Sequence, residues 1–97
     1  MTFDQYKISL QNDSPPTPCS DLLKSLWYDG KGNWEASHNI AQDVDSRDGY
    51  WVHAYLHRKE GDRWNAGYWY RQAGQSMPEY GIEKEWEELV RYFIKNQ

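Results

Sequence analysis

Residues 50–78, YWVHAYLHRKEGDRWNAGYWYRQAGQSMP, contain two apolar-periodic runs separated by Gly61 and Asp62. A glycine favours the end of a helix, and an aspartate is a typical N-cap for the next one. Small and aromatic residues recur at helical spacing in the second run, and these are Ala66, Tyr70 and Ala73. The stretch therefore predicts a helical hairpin with these three side chains between its helices.

The rest of the chain carries helix signals and no strand-period alternation. Ser20 and Asn33 are typical N-caps, and three prolines between residues 13 and 18 exclude regular structure there. Phe3, Tyr6 and Leu10 predict a short amphipathic segment before the prolines. The predicted helices cover residues 21–29, 34 to about 44, about 48–60, 63–73, and an amphipathic stretch after Gly81 with the stripe Ile82, Trp86, Leu89, Val90 and Phe93.

These signals predict that the chain has two parts. Residues 1–19 form an N-terminal segment with a Pro-rich linker, and residues 20–97 form a single helical domain. A chain of 97 residues is long enough for one core and too short for two.

From about Asp21 to Phe93 the chain resembles two tetratricopeptide or Sel1-like repeats followed by a capping helix. The second repeat carries the resemblance through Gly61, Asp62, Ala66, Tyr70, Ala73 and Pro78. The first repeat is degenerate, because Ala41 stands where the family has an aromatic residue and no proline follows. The resemblance implies an all-α fold of two stacked, TPR-like helical hairpins with a C-terminal capping helix, and a groove that binds protein segments.

Charge and composition exclude several classes of function. The 15 acidic and 11 basic residues give a net charge of −4, which repels a phosphate backbone. Cys19 is the only cysteine, so neither an intrachain disulfide nor a four-thiolate metal site can form. With no signal-peptide pattern and no apolar run of ~20 residues, we expect a cytoplasmic protein that binds neither nucleic acid nor membrane. The oligomeric state stays open.

The first functional hypothesis is a protein-interaction module without a cofactor or catalysis. An aromatic and basic groove on the second hairpin would bind a carboxylate-bearing peptide or an anionic metabolite. The residues expected to make contact are Trp51, Tyr55, Arg58, Lys59 and Trp64. This hypothesis expects the removal of Arg58 and Lys59 to leave stability nearly unchanged. The alternative is an ordinary solvated face in which these two side chains pair with Glu60 or Asp62.

The second hypothesis is a protein that binds zinc, another divalent metal or a small molecule, and that is possibly a hydrolase. His53 and His57 are four apart on a predicted helix, and His38 lies on the preceding one. Glu60 or Glu35 would complete the coordination sphere or orient an imidazole. Because a His pair at this spacing is common without the H-E-x-x-H motif, the sequence favours ordinary histidines hydrogen-bonded among tyrosines. The direction in which the three rings point separates the two hypotheses.

Overall fold

A computed structural model describes residues 1–96, which form six α-helices and no strand. The helices are α1 (Phe3–Ser9), α2 (Asp21–Gly30), α3 (Trp34–Ala41), α4 (Arg47–Glu60), α5 (Arg63–Ala73) and α6 (Ile82–Lys95). The predicted all-α class is confirmed. No helix in this part of the chain is both long and apolar enough to cross a bilayer.

Short polar side chains and glycines define the helix ends. The side chains of Asn33 and Asp62 accept hydrogen bonds from backbone N–H groups three residues later, as predicted for N-caps. Gly61 and Gly74 close α4 and α5 at φ of +91° and +71°, a conformation that glycine adopts without steric cost. The predicted bounds of α5 are confirmed.

The helix α3 is shorter than the sequence predicts, because it ends at Ala41 and not near Val44. The last backbone bonds tighten to i→i+3 spacing, from Asp43 to Ile40 at 3.2 Å and from Val44 to Ala41 at 3.1 Å. Ser46 then caps α4, so the turn between the two helices is only a few residues long.

The pairs α2–α3 and α4–α5 form the two most extensive helix contacts, in agreement with the two hairpins expected. Between α4 and α5, Ala54 and Ala66 are completely buried beside Tyr70. Two small residues at this contact allow the helix backbones to approach closely. The assignment of the hairpins to tetratricopeptide or Sel1-like repeats stays a prediction.

The helices α1 and α6 complete the main core. Tyr6 of α1 is completely buried, and its hydroxyl donates to the Leu23 carbonyl at 2.5 Å. Trp86 of α6 packs against Tyr6, with ring centroids 6.0 Å apart, and its indole N–H donates to the Leu26 carbonyl at 3.0 Å. Residues 1–19 thus include part of the core of the helical domain, and the division at residue 20 is not a packing boundary.

We predict that Ala66→Leu lowers the free energy of unfolding by roughly 1–3 kcal/mol, because the extra carbons overpack the contact between α4 and α5. Gly67→Ala is the matched control, since a Cβ there meets only the Arg71 guanidinium, at 3.5 Å. That control should raise stability by about 0.5–1 kcal/mol. Urea unfolding followed by circular dichroism measures both changes. Equal stability of Ala66→Leu and wild type would contradict the packing described here.

Candidate functional site

Three histidines converge where α3 packs against α4. His53 and His57 lie one turn apart on α4, and His38 lies on α3. The Nε2 atoms of His38 and His53 are 3.0 Å apart, and one nitrogen of each of the three rings lies within 4.8 Å of the other two. The three rings therefore lie together at one place. His38 and His53 are hydrogen-bonded to each other and His57 to Glu60, and not to tyrosines as the sequence favoured.

Two tryptophans hold the imidazole rings in place. The ring of Trp34 stacks on His38, with centroids 4.8 Å apart and an interplanar angle of 13°. Trp69 stacks on His53 at 4.3 Å and 21°. The indole N–H of Trp34 donates to the Leu56 carbonyl at 2.9 Å, which ties this wall of the site to α4. Sequence reasoning missed this role for both tryptophans. The i,i+4 spacing of Trp34 and His38 on α3 was a signal for the first, whereas Trp69 stacks on His53 from another helix.

Glu60 takes the orienting role that the sequence left open for it. Its Oε2 atom lies 2.6 Å from Nδ1 of His57. This bond leaves Nε2 of His57 as the nitrogen available to an ion, in the carboxylate–histidine–metal arrangement of many metal sites. Asp62 is also near His57, but its two oxygens accept bonds from Asn65 at 3.2 and 2.6 Å. Glu35 is exposed and lies outside both groups of potential ligands found in residues 1–96.

The surroundings keep two of the imidazoles neutral. Burial lowers the pKa of His53 to about 4, and the neighbouring His38 and His57 lower it further in the same direction. Burial, and then the proximity of His57, also lowers the pKa of His38. A neutral imidazole has a free lone pair and is the form that binds a metal.

One of the three nitrogen–nitrogen distances is close to that of a metal site. Zinc binds imidazole nitrogen at ~2.0–2.1 Å in a tetrahedral arrangement, so two such nitrogens are about 3.3 Å apart. His38 and His53 need to separate by only a few tenths of an ångström from 3.0 Å to reach that spacing. A nitrogen of His57 lies within 4.8 Å of the other two donors.

The residues predicted to form an aromatic and basic groove make contacts inside the domain. Arg58 forms an ion pair with the completely buried Glu85 at 2.9 Å, and Lys59 pairs with the buried Asp29 at 2.8 Å. Tyr55 is 1% exposed, with its hydroxyl 2.5 Å from Asp29. Arg58 and Lys59 thus pair with buried acids of other helices, and not with Glu60 or Asp62. A role of these side chains in binding a partner stays a prediction.

The other two residues expected in the groove, Trp51 and Trp64, lie in different environments. The indole N–H of Trp51 lies 3.4 Å from Glu85. Trp64 lies on α5 and is 78% exposed, without an aromatic partner among the described residues. The sequence did contain a signal for the burial of Glu85, which lies three residues after Ile82 and four before Leu89, on the apolar stripe of α6.

A cavity of about 930 Å³ lies between α1, α2, α4 and α6, and none of the three histidines lines it. Its charged lining includes Asp29 and Lys59, which are paired with each other. The histidine cluster therefore lies outside this cavity.

We predict that Arg58→Ala lowers the free energy of unfolding by about 3–5 kcal/mol, because it leaves the carboxylate of Glu85 buried without its cation. Lys59→Ala should cost less, since the Lys59 side chain is 38% exposed and Asp29 lines the cavity described above, so water can replace the ammonium group there. Urea denaturation of the two single variants gives both values. Equal losses would show that the pair between Arg58 and Glu85 is not the stronger constraint.

The low pKa of His53 predicts how stability depends on pH in the metal-free protein. Between about 4 in the folded chain and the ordinary value of 6.5, the unfolded chain binds this proton more readily. The contribution of His53 to stability is therefore complete above pH 6.5 and is lost as the pH falls towards 4. Between about pH 7 and about pH 4.5, wild type should lose more stability than His53→Gln, which stays neutral. The same loss in both proteins would argue against a buried neutral His53.

Comparison of this chain with protein-family models, with curated proteins and with solved structures finds no match.

Proposed function

We propose that this protein binds one divalent transition-metal ion, with zinc as the first candidate, through His38, His53 and His57. The observation that carries the proposal is the convergence of three ring nitrogens within 4.8 Å of one another. The three imidazole rings come from two helices, and the indole rings of Trp34 and Trp69 stack on those of His38 and His53.

The chemistry of the donors supports this choice of ion. Imidazole nitrogen suits zinc, copper, iron and nickel, whereas magnesium and calcium prefer oxygen ligands. Burial disfavours the protonated forms of His38 and His53, so a metal competes with few protons near neutral pH. Glu60 accepts a hydrogen bond from Nδ1 of His57 and makes the other nitrogen of that ring a better ligand.

The test is the binding of Zn²⁺ to protein purified without a histidine tag and stripped with a chelator. Equilibrium dialysis followed by elemental analysis should give close to one equivalent for wild type. His53→Ala should lose this stoichiometric binding. Zinc at a free concentration of 100 times its dissociation constant should stabilise wild type by about 2.7 kcal/mol in urea unfolding.

Two glutamine variants provide a matched comparison. Glu60→Gln weakens the hydrogen bond to His57 and should lower the zinc affinity by about 10–100-fold. Glu35→Gln removes the same charge at an exposed position one turn before His38 and should leave the affinity close to wild type. The proposal would be refuted if folded wild type took up no stoichiometric metal. It would also be refuted if wild type and His53→Ala bound the metal with equal affinity.

A further inference from the structure

We infer that the ion in this site keeps one coordination position open, and that water bound there is a nucleophile towards small uncharged esters. The inference rests on the proposed metal binding and adds a chemical activity to it.

The first argument is the count of protein donors. Zinc sites commonly have four ligands, and closed structural sites take all four from the protein. Only three imidazoles converge here. The carboxylate of Glu60 is bound to Nδ1 of His57, and the two nitrogens of an imidazole point away from each other. Both oxygens of Asp62 are bound to Asn65. Among the His, Cys, Asp and Glu side chains of residues 1–96, no fourth donor lies in the cluster, and this leaves a position for water.

The second argument is that side chains outside the cluster hold the helices that carry the ligands. Ser37, which precedes His38, is completely buried, and the hydroxyl of Ser25 on α2 donates to its carbonyl at 2.8 Å. The apolar cores of α2, α4 and α6 and of the α4–α5 hairpin are formed by other residues. A site that its scaffold holds in place is typical of a catalytic metal, whereas a structural metal supplies the folding energy of its domain.

The third argument concerns access and charge. The His57 side chain is 13% exposed and His38 is partly buried, so the cluster reaches the surface. The stacked indoles of Trp34 and Trp69 limit the space around the rings. The negative charges of Glu60 and Asp62 beside His57 repel anions. A shallow site of this kind suits a small neutral substrate.

The reaction is a hydrolysis that needs no co-reactant besides water. An ion held by His38, His53 and His57 would lower the pKa of its bound water to about 7 and so supply a hydroxide, with the proton lost to solvent. Addition of that hydroxide to the carbonyl carbon would form a new C–O bond. The ester C–O bond would then break, and the alkoxide would leave and take a proton from solvent. The sum is ester plus water giving acid plus alcohol.

The open position is tested with the Co²⁺-loaded protein and imidazole, an uncharged ligand that the negative charges beside His57 do not repel. Tetrahedral Co²⁺ replaces zinc and gives visible absorption bands that depend on its ligands. Imidazole should change these bands in a saturable way, because it occupies the position of the water. Bands that do not respond to imidazole in a protein with one bound Co²⁺ would overturn the inference and leave the proposed metal binding intact.

The activity is tested with 4-nitrophenyl acetate. The Zn²⁺-loaded protein should release 4-nitrophenol about tenfold or more faster than the stripped protein and free Zn²⁺ together. Dipicolinate should abolish this excess rate, and added Zn²⁺ should restore it, which separates a metal effect from attack by surface side chains. The rate should also be lost in His53→Ala. A zinc-loaded protein no faster than the stripped one would overturn the activity, whereas a protein that takes up no metal would overturn the proposed function as well.

Discussion

The carboxylate of Glu85 is completely buried, and the relative positions of α4, α5 and α6 depend on the groups that bind it. Arg58 donates to it at 2.9 Å, and the hydroxyl of Tyr70 lies 2.7 and 2.8 Å from its two oxygens. An unpaired buried carboxylate costs several kcal/mol, so other rotations of these helices are strongly disfavoured. Burial and the adjacent Glu85 also raise the pKa of Tyr70, which stays a hydrogen-bond donor at neutral pH.

The same contact determines which face of α4 presents the histidines. Trp51 and Arg58 are two turns apart on one side of α4, and both reach Glu85. A second buried carboxylate, Asp29, ties α2 to α4 by accepting from Tyr55 and Lys59. With α4 held by α2 and α6 in this way, its remaining side meets α3 and α5. That side carries His53 and His57. Glu85 and Asp29 take no part in the histidine cluster, but by holding α4 they fix the direction in which it presents these two histidines.

Features that depend on neighbours a few residues away were predictable from sequence. Asp62 caps α5 as predicted, because its hydrogen bond reaches only to Asn65. The partner of Arg58 was not predictable from sequence. The periodicity of apolar residues shows which face of a helix is apolar, but it does not show which helix packs on that face. Glu85 lies on the apolar stripe of α6 and was overlooked among the acidic residues of that stretch. The position of His38 beside His53 and His57 likewise depends on how α3 packs against α4, which the sequence of α3 does not specify.

Restriction of the imidazole rings would allow the proposed site both to bind an ion and to leave it incompletely coordinated. Trp34 and Trp69 stack on His38 and His53, so much of the rotational freedom of these rings is lost when the chain folds. An ion that bound to such rings would order less of the protein and lose less entropy. The same indoles occupy space beside the rings, and Glu60 is held on Nδ1 of His57. The groups that preorganise the three proposed ligands are thus not available as a fourth, and water would be the ligand that remains.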